Sequence, residues 1–528
     1  MRWWGRVFSR FTLVSLAILA QLFWMFFFIH RLSDHYMIVA AAFNFVTLIA
    51  AVIIVNKNGN PMVKMAWIVP ILVFPLFGGI LYFLSGGKAP KKKLRRALET
   101  SRQGLAPFSV GNASPDDIVT EQMRCRVGDA DVAGQCHYLE RQGFPLYRNT
   151  DARYYADCKA GWNRMLEDLR GAERFIFLEY FIIREGIMWN AVLDILTEKA
   201  AAGVDVRLLY DDFGCITCLP RDYVKQMEAR GIRCTAFNRY RPVYSVVMNH
   251  RDHRKIFVVD GYIGYTGGAN MSDEYIGEWV RFGDWKDNFV RLEGEGVRGL
   301  TLLFLQMWNA LHPEEDADIA RFLPPPERAA AVRCPGYVQP YGDSPMDSEV
   351  LAENVYLNII TQAVQYVYIF SPYLITDYEM TRALCLAAKR GVDVRLVCPA
   401  VPDKKIVFQL TKSHYPELIA NGVKVYSYTP GFLHSKTFLS DDRLAVVGSV
   451  NMDYRSLTLH FENACWFCGC SAVADVLAQT GNAPAMLKLG LPDAYPHSVS
   501  PYPVMLQDYG LTAEQVVQRV AQTLAPRK

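Results

Sequence analysis

Five residue types recur with one fixed spacing in both halves of the sequence: His, one residue, Lys, four residues, Asp, six residues, Gly, two residues, Asn. The first copy is His253, Lys255, Asp260, Gly267 and Asn270. The second copy is His434, Lys436, Asp441, Gly448 and Asn451, each 181 residues after its counterpart. One offset shared by five positions indicates a duplicated half-site, and a His and a Lys two residues apart lie on one face of a strand.

A phosphodiester is the substrate that suits two histidines and two lysines. A neutral imidazole can attack phosphorus to give a phosphohistidine, and a second His can protonate the leaving alkoxide and then deprotonate the incoming alcohol. Lys255 and Lys436 can hold the non-bridging oxygens and stabilise the charge that gathers on them, and Asn270 and Asn451 can donate to the same oxygens. We therefore predict no metal ion and no cofactor, because two lysines supply the charge that a divalent cation would bring.

The glycines of the repeat admit two interpretations. Gly267, Gly268 and Gly448 can let the backbone approach a phosphate closely, or they can serve only the geometry of a turn.

The segments around the repeat alternate between strand and helix patterns, which is typical of α/β folds. In the first half the predicted elements are a strand at 173–181, a helix at 188–202 and a strand at 204–210, and in the second half a strand at 364–370, a helix at 378–390 and a strand at 392–398. The hexapeptide Gly-Val-Asp-Val-Arg-Leu occurs at both 203–208 and 391–396. We predict two duplicated α/β domains, each with a mostly parallel sheet, packed with pseudo-twofold symmetry so that the repeated motifs meet.

The amino-terminal region is strongly apolar. Hydrophobic residues make up 51% of the chain, and uncharged stretches at 11–29, 36–55 and 65–84 approach the ~20 residues that cross a bilayer. Prolines and glycines interrupt the third stretch, so it either spans with a kink or re-enters. Because basic residues precede the first stretch and follow the third, we expect a multi-pass protein of the cell membrane with cytoplasmic catalytic domains.

The sequence divides into five parts by composition. We expect a membrane anchor region with two or three hydrophobic segments at 1–86, a linker at 87–149, a first domain at 150–330, a second domain at 331–480 and a tail at 481–528. The net charge of +3 does not indicate a nucleic-acid partner.

Two groups of cysteines could in principle bind zinc. They are Cys215 with Cys218, and Cys465 with Cys468 and Cys470, among 12 cysteines in all. No His lies at zinc-finger spacing from them, so reduced thiols in the core and loops are the favoured interpretation.

The repeated spacing resembles the HKD signature of the phospholipase D superfamily, and residues 60–470 resemble bacterial cardiolipin synthases. Similar segments are Leu-Glu-Tyr-Phe at 178–181, Leu-Tyr-Asp-Asp-Phe-Gly at 209–214, Asn-His-Arg-Asp-His-Arg-Lys at 249–255 and Trp-Lys-Asp at 285–287. The resemblance implies that both motifs share one site, that His253 is the nucleophile and that His434 is the general acid and base. It also implies that Asp260 and Asp441 brace the motif.

The resemblance further implies a carboxylate that orients each histidine. It assigns Glu462 to His434 and Asp287 to His253, with Glu278 as a competitor of Asp287.

Three more residues lie in segments that resemble the synthases. Tyr180, Asp211 and Arg251 are candidates for a headgroup pocket, although packing explains Tyr180 equally well.

The implied reaction joins two phosphatidylglycerol molecules into cardiolipin and glycerol. The expected partners are therefore phosphatidylglycerol and an anionic phospholipid membrane. A hydrolytic phospholipase D and a phosphatidylserine synthase are alternatives with the same chemistry, and a nuclease or a non-catalytic membrane scaffold is a remote one. Residues 471–528 lack the basic, Leu-rich ending of these synthases, so the acceptor alcohol and the oligomeric state stay open.

Overall fold

The structure is a computed structural model of the 528-residue chain. It describes residues 19, 23, 34–57, 61–74, 77–79, 81–82, 92–118, 132–239, 249–313 and 318–479. The expected tail at 481–528 and nearly all of the hydrophobic stretch at 11–29 lie outside the described residues.

Two helices cover the second hydrophobic stretch and part of the third. Helix α1 comprises Asp34–Val55, and helix α2 comprises Pro61–Val73 with Pro70 inside it. In the described part of the chain, no helix combines the length and the apolar character needed to cross a membrane. The described helices therefore do not support the expectation of two or three membrane-spanning segments.

The first lobe is built on a mixed sheet. Its strands are β1 (Thr150–Tyr155), β2 (Phe175–Tyr180), β3 (Asp205–Asp211), β4 (Arg233–Phe237), β5 (Arg251–Asp252), β6 (Lys255–Val259), β7 (Ile263–Gly267), β8 (Asp284–Lys286) and β9 (Phe289–Gly294). Seven of them form one sheet in the order β1-β9-β7-β6-β2-β3-β4. Only the neighbouring pairs β2-β3 and β3-β4 are parallel, and every other pair in this sheet is antiparallel, including the β6-β7 hairpin.

The second lobe repeats this arrangement. Its strands are β10 (Tyr337–Asp343), β11 (Tyr366–Phe370), β12 (Leu374–Ile375), β13 (Asp393–Pro399), β14 (Lys424–Tyr428), β15 (Gly431–Leu433), β16 (Thr437–Ser440), β17 (Leu444–Gly448), β18 (Met452–Asp453) and β19 (His460–Cys468). The main sheet runs β10-β19-β17-β16-β11-β13-β14, which matches the first lobe strand for strand. The predicted duplication is thus confirmed, whereas the prediction of a mostly parallel sheet was wrong for both lobes.

The remaining helices cover the sheets and the junction between the lobes. They are α3 (Lys92–Leu105), α4 (Val132–Arg141), α5 (Cys158–Arg170), α6 (Ile187–Ala201), α7 (Tyr223–Glu228), α8 (Val297–Leu311), α9 (Pro326–Ala331), α10 (Leu351–Gln362), α11 (Tyr378–Lys389), α12 (Lys405–Ala420), α13 (Tyr454–Thr458) and α14 (Ser471–Gln479). The α6 and α11 helices lie within two residues of their predicted bounds.

Helix α8 joins the two lobes into one body. It is apolar on nearly every face, and such a helix is stable only when it is buried on all sides. Its side chains share one hydrophobic cluster with β6 and β9 of the first lobe and with β17 and β19 of the second. Two short strand pairs also cross the junction, β8 with β15 and β5 with β19, both parallel.

Candidate active site

Each motif histidine is hydrogen-bonded to a carboxylate of the opposite lobe. His253 Nδ1 lies 2.9 Å from Glu462 Oε2, and His434 Nδ1 lies 2.6 Å from Asp287 Oδ2. All four side chains are buried. The two half-sites therefore complete each other at the junction.

This pairing is the reverse of the one expected within each half of the sequence. The assignments of Glu462 to His434 and of Asp287 to His253 were wrong, and the strand pairs across the junction explain why. Since β8 pairs in register with β15, it delivers Asp287 beside His434, whose backbone N–H donates to Lys286 O at 2.7 Å.

The other strand pair does the same for the second carboxylate. Because β19 runs beside β5, the His253 N–H donates to Phe461 O at 2.9 Å, and Glu462 follows directly. The competitor Glu278 lies at the surface, 2.6 Å from Lys159 Nζ.

The carboxylates determine which ring nitrogen can react. A carboxylate only accepts hydrogen bonds, so Nδ1 of each histidine must carry the proton in these contacts. In a neutral ring the lone pair is then on Nε2, which can attack phosphorus or take up a proton. Each lobe thus presents one imidazole whose Nε2 can act as a base.

Burial keeps both imidazoles neutral. It lowers the pKa of His253 well below its ordinary value, against the opposing charge of Glu462. Burial, together with the positive charge of Lys436, lowers the pKa of His434 to about 4. Lys436 Nζ also lies 2.7 Å from His434 Nδ1, and because that nitrogen carries its proton for Asp287, this is a close approach and not a hydrogen bond from the ammonium.

The two motif lysines belong to the same buried site. Burial lowers the pKa of Lys255 to about 7, and the charge of Lys436 lowers it further. Burial likewise lowers the pKa of Lys436 to about 8, although Asp287 and Glu462 oppose the shift. Mutual repulsion between ammonium groups that have lost their water favours an anion between them.

The two carboxylates stay ionised despite burial. Burial alone would raise the pKa of Asp287, but the charge of Lys436 and the hydrogen bond from His434 outweigh it and hold the pKa low. In the same way, the contact with His253 outweighs burial and lowers the pKa of Glu462. Ser449 Oγ donates a hydrogen bond to Glu462 Oε2, the oxygen that His253 also contacts.

Asp260 and Asp441 brace the repeat rather than face the histidines. Asp260 accepts three hydrogen bonds of 2.7–2.9 Å from the backbone N–H groups of residues 173–175, where β2 begins. Asp441 accepts three of 2.8–2.9 Å from residues 364–366, where β11 begins. Both residues have a φ of +53°, a conformation that Asp tolerates better than most residues.

Two asparagines that sequence reasoning missed also cross the junction. Asn463 Oδ1 accepts from the Lys255 N–H at 3.0 Å, and Asn463 Nδ2 donates to Thr266 Oγ1 at 2.8 Å. Asn288 Nδ2 donates to Thr437 Oγ1 at 3.1 Å. A signal was present, because an acid followed by Asn occurs in both halves, at 287–288 and 462–463.

The asparagines of the repeat hold the loops around the site. Asn270 Nδ2 donates to Tyr275 Oη at 2.8 Å, and its Oδ1 accepts from the Ile182 N–H at 3.1 Å. Asn451 Nδ2 donates to Ser456 Oγ at 3.1 Å. Since an amide NH₂ group has two protons, each asparagine has a second N–H beyond the one used in these contacts.

The repeat glycines make room for protein rather than for a phosphate. A side chain at Gly268 would collide with the Asp287 carboxylate, and one at Gly448 with Ala464. The close approach that these positions permit is therefore the packing of the orienting strands.

The three candidates for a headgroup pocket lie in different surroundings. Tyr180 lies within the core of the first lobe, which favours the packing interpretation. Asp211 is buried, which raises its pKa to about 7, and it accepts from the N–H groups of Phe213, Gly214 and Asp252 at 2.9–3.0 Å. Arg251 Nη1 lies 3.6 Å from Asp211 Oδ1, so this pair braces the loop beside His253.

A third histidine, which sequence reasoning missed, lies beside the first. The His460 ring is centred 5.5 Å from the His253 ring, and its Nδ1 lies 3.6 Å from Glu462 Oε1. It stands two residues before Glu462 on β19, hence on the same strand face, which was the available signal. Within the described residues, the ligand atoms of these three side chains lie within 4.8 Å of one another, the one such group found there.

Four of the five cysteines in the two groups are buried, and Cys218 is partly exposed. Cys215, for example, accepts from the Ile183 N–H at 3.2 Å, and burial raises its pKa well above the ordinary value. This agrees with the interpretation of core and loop thiols.

The chain matches two protein families and several curated proteins. The family described as "Cardiolipin synthase, PLD-like domain" matches residues 165–279 and 356–479, and the family "Phospholipase_D-nuclease N-terminal" matches 45–87. An uncharacterized protein of Streptococcus mutans is 41% identical, over 80% of this chain and 90% of its own length. A cardiolipin synthase of Alkalihalophilus pseudofirmus is 33% identical, over 80% of this chain and 83% of its own.

Among solved structures, a phosphatidylserine synthase of Haemophilus influenzae aligns with 66% of this chain and 89% of its own, at 14% identity and a TM-score of 0.48. By sequence, a cardiolipin synthase of a Geobacillus strain is a further relative, 35% identical over 78% of this chain and 80% of its own length. With the duplicated motifs meeting at one buried junction, the family match and the two cardiolipin synthase relatives show that the chain is an enzyme of the cardiolipin synthase family in the phospholipase D superfamily.

Proposed function

We propose that this protein is a membrane-associated phosphatidyltransferase that converts two phosphatidylglycerol molecules into cardiolipin and glycerol through a phosphohistidine intermediate. The observation that carries the proposal is the crossed pairing of each motif histidine with a buried carboxylate, next to two buried lysines. This pairing leaves two Nε2 atoms available for one nucleophilic step and one proton transfer.

In the first step, His253 Nε2 attacks the phosphorus of one phosphatidylglycerol. The bond from phosphorus to the glycerol headgroup oxygen breaks, and His434 in its imidazolium form gives that oxygen a proton, so glycerol leaves. The diester anion promotes this protonation, because it offsets the Lys436 charge that depresses the pKa of His434.

In the second step, the glycerol hydroxyl of another phosphatidylglycerol loses its proton to His434 and attacks phosphorus. The phosphorus–nitrogen bond to His253 breaks, which regenerates the enzyme and releases cardiolipin. Lys255 and Lys436 balance the negative charge of the phosphoryl oxygens in both steps. Asn270 and Asn451 donate their remaining N–H groups to these oxygens.

The proposal is tested with the full-length protein reconstituted into phosphatidylglycerol vesicles that contain a chelator, with the products identified by mass. We expect cardiolipin and glycerol in equal amounts, and no product from His253→Ala. His414→Ala, which removes a half-buried imidazole on α12, is the matched control and should retain activity.

Other products would assign the alternative functions. Phosphatidic acid with free glycerol, and no cardiolipin, would indicate a hydrolytic phospholipase D. Phosphatidylserine formed only when a cytidine-diphosphate lipid and serine are added would indicate a phosphatidylserine synthase. Equal product from wild type and His253→Ala would contradict the mechanism.

A further inference from the structure

Exposed apolar side chains flank the active site on both lobes. Phe213 and Ile216 lie in the loop after β3, Val280 lies in the loop before β8, and Val401 and Ile406 lie after β13. Val280 is 76% exposed and Ile406 is 81% exposed. Isolated exposed apolar residues are common, but these lie on loops and at a helix start near one functional site.

On the first lobe, this apolar surface adjoins His253. The Arg251 guanidinium lies 4.7 Å from the centre of the Phe213 ring. The next residue, Gly214, packs so closely on the Phe181 backbone that a side chain there would collide with it. The Phe181 ring is centred 4.9 Å from the His253 ring.

On the second lobe, the apolar surface adjoins His434. Val401 N–H donates to Gly431 O at 3.4 Å, and Gly431 begins β15, which leads into His434. The loop that carries Val280 reaches the same place, because the Asp284 N–H donates to Pro430 O at 3.0 Å.

Ile406 lies near Lys436, the motif lysine of the second lobe. Tyr373 Oη donates to Asp403 at 2.7 Å, and the charge of Asp403 is one of those that support the pKa of Lys436. Ile406 lies in the first turn of α12, three residues further along the chain.

The duplication relates the two sides of this surface. Phe213 and Val401 each lie ten residues after the glycine that begins the repeated hexapeptide. The carboxyl ends of β3 and β13 therefore carry equivalent exposed apolar residues, one on each lobe.

Exposed cations lie next to two of the apolar side chains. Arg281 follows Val280 directly, and Lys404 and Lys405 precede Ile406. Apolar groups with adjacent Lys and Arg suit an interface where acyl chains lie beneath anionic headgroups. A diester held in a bilayer must also cross this surface to reach the histidines.

We propose that Phe213, Ile216, Val280, Val401 and Ile406, the apolar rim, form a membrane-docking surface that inserts into an anionic phospholipid bilayer around the active-site entrance. This inference rests on the proposed function, since it gives the route by which phosphatidylglycerol enters from the membrane. It assigns the catalytic lobes a lipid contact of their own, separate from the amino-terminal region.

The direct test places an environment-sensitive fluorophore on the rim. Ile406→Cys is labelled with a nitrobenzoxadiazole group in full-length protein whose accessible cysteines are changed to serine. The matched control is Ile419→Cys, because residue 419 is also an exposed isoleucine on α12, about 20 Å along the helix at 1.5 Å per residue. We expect a blue-shifted emission at position 406 and none at 419 after reconstitution into phosphatidylglycerol vesicles.

Two results would overturn the docking surface. Emission that shifts at neither position would show that the rim does not enter the bilayer, and an equal blue shift at both would show that the lipid contact is not specific to the rim. A blue shift at 406 that is already present in detergent, or that follows protein concentration, would show that another part of this chain or a second copy covers the rim.

A kinetic test uses the double variant Val280→Ser and Ile406→Ser. We expect its activity on long-chain phosphatidylglycerol in mixed micelles, relative to its activity on dihexanoyl phosphatidylglycerol below its micelle concentration, to fall about tenfold. Ile419→Ser should keep the wild-type ratio. An unchanged ratio in the double variant would contradict the proposal.

The two proposals fail in different ways. If wild-type protein releases only phosphatidic acid while position 406 still reports lipid, then the transferase assignment fails and the docking surface stands. If cardiolipin forms while position 406 reports water, the reverse holds.

Discussion

The crossed pairing of histidines and carboxylates predicts opposite effects for two similar substitutions. Asp287→Asn removes the carboxylate from His434, the proposed acid and base, and Glu462→Gln removes it from His253, the proposed nucleophile. The first should slow the discharge of the phosphohistidine more than its formation, so the intermediate accumulates. The second should slow its formation, so the intermediate becomes undetectable.

The size of the effect follows from the contact. His434 Nδ1 lies 2.6 Å from Asp287, and both groups are buried, so the hydrogen bond gains charge when the ring is protonated. Loss of about 2–3 kcal/mol from such a bond slows the step about 30- to 150-fold, at 1.36 kcal/mol per factor of ten. Glu278→Gln, which changes the surface competitor of Asp287, should leave both steps unchanged.

The assay mixes each variant with phosphatidylglycerol that carries a radiolabelled phosphate, stops the reaction in alkali and maps the labelled peptide. Label on the peptide with His253, enriched in Asp287→Asn and lost in Glu462→Gln, is the expected result. The opposite pattern, with the same peptide enriched in Glu462→Gln, would mean that each carboxylate serves the histidine of its own lobe, and the reasoning would be refuted.

Three further predictions concern the supporting residues. Asp441→Ala should lower the free energy of unfolding by about 3 kcal/mol, at about 1 kcal/mol for each of three lost hydrogen bonds, and a denaturant titration that shows no loss would contradict its bracing role. Because the pKa of Lys255 is about 7 and that of Lys436 is about 8, their charged forms disappear as the pH rises through this interval, so kcat/KM should fall there. Lys436→Arg should move part of that fall to higher pH, and an alkaline limb that does not move would rule out Lys436 as its cause. His460→Ala should slow turnover about tenfold and shift the acidic limb of the pH–rate profile, since it removes the imidazole 3.6 Å from Glu462; a slower rate with an unmoved limb would indicate a purely structural role.

Much of the fold could be predicted because local patterns determine it. The predicted strand and helix segments around residues 173–210 and 364–398 correspond to β2, α6, β3, β11, α11 and β13 within a few residues. The direction of the outer strands could not be read in the same way. The strand direction depends on the hairpin between β6 and β7, and the alternation of strand and helix patterns in the sequence does not reveal that hairpin.

The chemistry of the site was predictable only in part. The motif histidines and lysines were evident from their shared offset, and their burial at one junction agrees with it. The partner of each histidine depends on a strand of two or three residues that pairs across the lobes, β5 with β19 and β8 with β15, and no local pattern specifies such a pairing. His460 was missed for a related reason, because a single histidine near a strand end carries no repeat.

The stereochemical course at phosphorus tests the central claim most directly. Phosphatidylglycerol with a phosphorothioate of known configuration is converted by the full-length enzyme, and the configuration of the diester in the product is determined. Two successive in-line displacements, one by a histidine and one by the acceptor alcohol, predict net retention. Net inversion would show a single displacement, with no covalent intermediate and no need for two histidines at one phosphorus atom.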